Sequence, residues 1–260
     1  MQITNADGTV AGARRAGKSG PALLFVHGVG STAAIWDSQL EAFGGDRRAL
    51  AIELRGNGAL MDPDPSLISR EGFVDDVLGV ADAAGVDRFT LVGCSLGGVV
   101  SFELWKRAPE RVEAMVIVGS FAQYPSAQAY ADGVKAAALE AADMRAFAQI
   151  RASKLGLSPD RTRETIDQMA CKSIPCYVAS TQATWTGDYR DVLPSIDVPV
   201  LVACGQRDGI APRALSEEIA AGIPGARFVE IAGAGHVANA DAPEVFNDVL
   251  REFLAGLPAR

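Results

Sequence analysis

The run Phe89-Thr90-Leu91-Val92-Gly93-Cys94-Ser95-Leu96-Gly97-Gly98-Val99-Val100 restricts the fold more than any other stretch of the chain. A short apolar strand signal ends in Gly-Cys-Ser-Leu-Gly-Gly, and an amphipathic helical pattern begins at once. The reading is strand, sharp turn, helix, with Ser95 at the apex. Gly93 and Gly97 leave room for a turn too tight for side chains. Such a turn presents a serine beyond the carboxyl end of a strand, where open α/β sheets place their sites. A serine hydroxyl alone is a weak nucleophile at neutral pH, so Ser95 needs a base and a group that orients that base.

The chain has 260 residues, enough for one α/β domain or one such domain carrying an insertion. Its apolar share of 48% contains few aromatics, which suits helices packed on a parallel sheet. A net charge of -8 argues against nucleic acid or an anionic membrane as partner. It leaves room for a small anionic substrate, because one or two local arginines outweigh a diffuse field. No window approaches eighteen consecutive apolar residues, and Met1–Asn5 does not begin a basic-then-apolar leader, so neither a membrane span nor a signal peptide is expected. Cys94, Cys171, Cys176 and Cys204 form no C-x-x-C pair. Cys94 and Cys204 read as buried thiols, and Cys171 and Cys176 as a reduced pair in a cytoplasmic protein. With His27 and His236 the only histidines, a His-rich metal site is ruled out, and neither metal nor cofactor is expected.

Along the chain, Ala6-Asp7-Gly8 signals a hairpin between Gln2–Asn5 and Thr9–Ala13. Ala22–Val26 is a continuous apolar run typical of a strand buried on both faces, and it ends in His27-Gly28-Val29-Gly30. A helical segment with Ile35, Trp36, Leu40 and Phe43 follows, then a strand at Ala49–Leu54 closed by Arg55-Gly56-Asn57-Gly58. A helix through Phe73, Val77 and Val80 stops near Gly85, and after Ser95 a helix runs to Arg107. Glu113–Val118 is a further buried strand. Strands alternating with helices imply a mostly parallel sheet flanked by helices. The rhythm breaks over residues 121–193, where helical patterns appear around Ala129–Ile150, Pro159–Ala170 and Pro175–Thr184. That segment reads as a helical cap inserted in a core made of residues 1–120 and 194–260. The sheet resumes at Val198–Gly205, followed by a helix (Pro212–Ala221), a strand (Arg227–Ile231) and a last helix (Pro243–Leu254).

His236 follows a strand in Ala232-Gly233-Ala234-Gly235-His236 and is the expected base, since His27 precedes a Gly-rich turn and is needed to orient it. Asp208, just past the strand ending at Cys204, is the expected orienting carboxylate, with Asp241 and Asp197 as substitutes. The order Ser95, Asp208, His236 is that of a strand-elbow hydrolase rather than of the two protease types. Backbone N–H groups of Val29 and Leu96 are placed to hold an oxyanion. Trp36 and Trp185 are candidates for lining a substrate pocket, with core packing as the alternative. Lys135, Arg145, Arg151 and Lys154 read as a solvated cap surface, from which one cation pairing with a substrate carboxylate is the exception.

Together these segments resemble the α/β-hydrolase superfamily over nearly the whole chain, and within it 3-oxoadipate enol-lactonases and related esterases. The likeness is carried by His27-Gly28-Val29-Gly30-Ser31, Ile35-Trp36-Asp37, Val92–Gly98, Ala108-Pro109-Glu110-Arg111-Val112, Gly205-Gln206-Arg207-Asp208 and Ala234–Asn239. It departs at Glu53-Leu54-Arg55-Gly56-Asn57-Gly58-Ala59-Leu60, where the family pattern D-x-R-G-H-G-x-S has a histidine and a serine. The resemblance implies an α/β-hydrolase fold and a hydrolase of a small carboxylic ester or lactone, working through Ser95, His236 and Asp208. The same triad also serves carbon–carbon hydrolysis, perhydrolysis or cofactor-free oxygenation in that superfamily, and a small-molecule receptor is a third reading. A homo-oligomer is compatible with the chain.

Overall fold

The computed structural model describes residues 1–57, 60 and 62–258. Gly58 and Ala59, within the loop that departs from the family pattern, lie outside the described residues. The chain order is β1 (Gln2–Thr4), β2 (Val10–Ala16), β3 (Ala22–Val26), α1 (Asp37–Phe43), β4 (Arg48–Glu53), α2 (Arg70–Ala83), β5 (Phe89–Cys94), α3 (Leu96–Arg107) and β6 (Val112–Val118). Four helices follow before the sheet resumes: α4 (Ala127–Glu140), α5 (Met144–Ala152), α6 (Pro159–Ala170) and α7 (Ile174–Trp185). The chain ends with β7 (Val200–Gly205), α8 (Arg213–Gly222), β8 (Arg227–Ile231), α9 (Ala238–Asp241) and α10 (Pro243–Ala255).

Among the described residues, eight strands form one sheet in the order β1-β2-β4-β3-β5-β6-β7-β8. β1 and β2 pair antiparallel at one edge, and every pairing from β4 to β8 is parallel. Strands covered on both faces need apolar residues at every position, which explains the unbroken runs read in the sequence. The pleat sends alternate residues to opposite sides. Leu24, Val26, Leu91, Ile117 and Val202 pack with α2, α3 and α8, while Leu23, Phe25, Val92, Val116 and Leu201 pack with α1 and α10. Two cores thus hold the sheet rigid and leave its carboxyl edge free for loops.

The helical pattern around Ala129–Ile150 resolves into two helices, α4 and α5. Ala141 turns extended after α4, and Asp143 caps α5 by accepting a 2.8 Å hydrogen bond from the Ala146 N–H. The four helices between β6 and β7 also have a small core of their own, built on Val134, Ala138, Phe147, Met169 and Tyr177. No helix among the described residues is long and apolar enough to cross a membrane. All four cysteines are free, with Cys94, Cys176 and Cys204 buried and Cys171 exposed.

The loop after β4 is locked to the rest of the molecule by Arg55, which is 1% exposed. Its guanidinium donates to both oxygens of the buried Asp76 on α2 and to Asp7 in the β1–β2 turn. The Arg55 N–H adds a 2.8 Å bond to Asp76. A buried arginine is tolerated when carboxylates satisfy it, and here two do.

Candidate active site

Ser95 stands between β5 and α3 with φ 55° and ψ -112°, a backbone region that costs a serine on the order of 1–3 kcal/mol. The surroundings hold it there. Its N–H donates to the Val118 carbonyl at 2.9 Å, and its own carbonyl accepts from the Ser120 hydroxyl at 2.8 Å. The flanking glycines are needed for close approach: a Cβ on Gly93 would sit 2.2 Å from the Gly97 carbonyl oxygen, and one on Gly97 would sit 2.2 Å from that of Val26. Strand, turn and helix therefore pack backbone to backbone around the serine.

Asp208 follows β7 and His236 follows β8, so the two come together across the carboxyl edge of neighbouring strands. His236 Nδ1 lies 2.9 Å from Asp208 Oδ2 and 3.0 Å from Oδ1, with both residues buried. Oδ1 also accepts from the N–H groups of Ile210 and Ala211 at 2.8 and 2.9 Å, which fixes the carboxylate's orientation. An acceptor at Nδ1 keeps the proton there and leaves Nε2 as the basic nitrogen. Of the substitutes, Asp197 is exposed. Asp241 instead clamps loops, accepting from the N–H of Ser158 and the N–H of Gly235.

Leu96 opens α3, and Val29 lies in the loop after β3. Among the described residues neither N–H has a protein acceptor, as expected of the first donors of a helix and of a tight loop. That loop is held by His27: its Nδ1 donates to the Gly28 carbonyl at 2.9 Å while its Nε2 accepts from the Leu54 N–H at 3.3 Å. Cys94 beside the serine is no rival nucleophile, because burial pushes its thiol well up.

Val29, Ser95, Arg151, Met169, Trp185 and His236 all line one pocket beneath α5, α6 and α7. Its enclosed free space is ≈ 30 Å³, room for about two water molecules. Of the two tryptophans, Trp185 lines it, stacked on Phe121 with ring centroids 4.8 Å apart. Trp36 does not. It is fully buried between Phe25 and Phe246, at 5.0 and 6.2 Å, because the segment before α1 folds down onto the sheet. Lys135, Arg145 and Lys154 are exposed as read, but Arg151 is not: it is 7% exposed and faces the pocket. The signal for it was its spacing from Met144 and Phe147 on α5, which places it on the helix's buried stripe. Among the described residues no cluster of three or more His, Cys, Asp or Glu side chains is arranged to hold a metal ion.

Residues 21–243 match the family model described as alpha/beta hydrolase fold. A protein of Azorhizobium caulinodans named, provisionally, as the carbamate hydrolase RutD is 30% identical over 246 residues, covering 90% of this chain and 91% of that relative. A hydrolase from Pseudomonas aeruginosa superposes with a TM-score of 0.91 at 30% identity, covering 98% of each chain. The enol-lactonase from Burkholderia xenovorans gives a TM-score of 0.89 at 25% identity, covering 98% of this chain and 100% of its own.

Proposed function

The chain belongs to the α/β hydrolase fold family, and from that premise we propose that it is a serine hydrolase of a small carboxylic ester or lactone. The observation that carries this reading is the buried Asp208–His236 pair, whose histidine lines the same pocket as Ser95 and Val29, with the Leu96 N–H following the serine in the chain. His236 Nε2 takes the Ser95 proton as Oγ attacks the carbonyl carbon, and the carbonyl electrons move onto oxygen. The Val29 and Leu96 N–H groups then hold that oxyanion, and the N-terminus of α3 adds its dipole. Collapse of the tetrahedral species breaks the bond to the leaving oxygen, which receives the proton from His236. Water, deprotonated by the same histidine, then cleaves the acyl-enzyme and releases the acid. Asp208 keeps the imidazole in the required tautomer throughout and stabilises it when charged.

Residues 121–193 act in this reading as a cap over the reacting centre, and they set the substrate. The narrow space under α5–α7 favours a compact acyl group and requires these helices to shift for entry. The test is turnover of 4-nitrophenyl acetate and of small lactones. Wild-type protein is expected to hydrolyse at least one, and Ser95→Ala to lose at least about a thousandfold in kcat. Wild-type rates in Ser95→Ala would sink the mechanism. The likeness to the Azorhizobium protein named for carbamate hydrolysis favours one second reading, in which the same acyl transfer cleaves a C–N bond. Ammonia release from carbamate above the spontaneous rate, lost in Ser95→Ala, would identify it.

A further inference from the structure

Among the described residues lining the pocket, Arg151 is the one of fixed charge. Its guanidinium stays protonated even when buried, so its surroundings must supply negative charge or strong acceptors. Little is supplied. Nη1 donates to the Tyr130 hydroxyl at 3.1 Å, and the Tyr130 ring lies 5.9 Å from Cζ. Nε is buried and has no hydrogen-bond partner among the described residues. Among the described residues no carboxylate comes within ion-pair distance of this side chain. The same protein gives its other deeply buried arginine, Arg55, two carboxylates. Arg151 is thus an unpaired cation with a free donor, held on the pocket that also receives Ser95 and His236.

We propose that Arg151 is the anion-binding group of this pocket, and that the preferred substrate carries a carboxylate besides the ester or lactone it gives up. The inference rests on the hydrolase reading above and adds the charge of the substrate to it. A carboxylate suits the planar fork of a guanidinium and satisfies Nε together with a terminal nitrogen. It also fits a narrow space better than a tetrahedral anion does. The protein's overall negative charge does not oppose this, because inside a dry pocket the nearest charge dominates.

The test uses matched ester pairs that differ only by a terminal carboxylate in place of a methyl, on the acyl side in one pair and on the alcohol side in the other. Wild type is expected to favour the carboxylate in at least one pair by about tenfold or more in kcat/KM. Arg151→Met should abolish that preference, mainly through a raised KM for the carboxylate ester. Arg151→Lys should keep part of it. Binding is read separately: succinate is expected to raise the Tm of wild type but not of Arg151→Met, and succinamide to raise neither. Ligand-free Arg151→Met should melt at or above wild type, since an unpaired buried charge is gone. A lower Tm with discrimination unchanged would make Arg151 merely structural. Ester turnover without carboxylate preference or succinate shift overturns the anion site alone. A succinate shift with no ester turnover supports the anion site and overturns the hydrolase reading.

Discussion

Replacing Asp208 with asparagine tests the site more sharply than deleting a nucleophile, because the change is one atom and its effect can be worked out beforehand. Oδ1 accepts from the main-chain N–H groups of Ile210 and Ala211 at 2.8 and 2.9 Å. An amide NH2 in that place would face two donors, so the asparagine must keep its oxygen there and put NH2 where Oδ2 stands. That position is 2.9 Å from His236 Nδ1. The new group donates rather than accepts, and the retained oxygen, 3.0 Å from Nδ1, is already taken by two main-chain N–H groups, so the Nδ1–H tautomer loses its better acceptor and the proton shifts toward Nε2. The imidazole then offers Ser95 an N–H where it needs a lone pair. The expected loss is about 10³–10⁴ in kcat, equivalent to roughly 4–5.5 kcal/mol of barrier. KM should change by less than about threefold and the melting temperature little, since shape and packing are kept. Steady-state turnover of the best ester at several pH values, beside a thermal melt, makes the measurement. A kcat within tenfold of wild type would refute the tautomer argument and Asp208's role with it.

Three further outcomes follow from geometry elsewhere. Gly119 has φ +52°, and a Cβ there would lie 2.8 Å from the His236 carbonyl oxygen and 3.0 Å from Asp208 Oδ2; Gly119→Ala should cost roughly 1–3 kcal/mol in urea unfolding and lower kcat as the pair is displaced. Asp76→Asn removes the main counter-charge of Arg55 and should cost about 3–5 kcal/mol by the same assay, with KM unaffected at equal folded fraction. Burial lowers the Lys172 ammonium to about 8 from the ordinary lysine value of 10.5. The unfolded chain therefore binds the extra proton between those values, so this group makes unfolding free energy rise with pH from about 8 to 10.5, and below pH 8 its full cost is present. The difference between wild type and Lys172→Met, measured at several pH values, should shrink across that window; a constant difference would refute the lowered value.

The fold was legible because its strands are buried on both faces, so Ala22–Val26 and Val200–Gly205 carry an unbroken apolar signature of strand length. The placing of Ser95, Asp208 and His236 at strand ends was legible for a related reason: each follows a strand in a Gly-marked turn, so backbone alone sets its place. Arg151 was not: as a charged residue in a helical segment it read as part of a solvated surface, and the phase of the preceding helix does not correct that reading. Continuing α4's buried positions Ala131, Val134 and Ala138 at 3.6 residues per turn would put Arg145 on the buried face. The break before Asp143 resets the phase to Met144, Phe147, Ala148 and Arg151. Trp36 failed differently. Its direction is decided by Phe246, near the far end of the chain, and no local pattern reports that contact.

With Ser95 as the nucleophile of the proposed mechanism, its left-handed backbone sets selection for durability against selection for turnover at a single position. Glycine would occupy φ 55° and ψ -112° without strain, so Ser95→Gly is among the substitutions that stability alone would reward. A search for heat-resistant variants that scores only the folded fraction would therefore drift toward inert protein at this codon. The Val118 and Ser120 contacts that hold the strained peptide are where tolerance for Ser95 is maintained, and loosening them would relax the turn before any reacting group was touched.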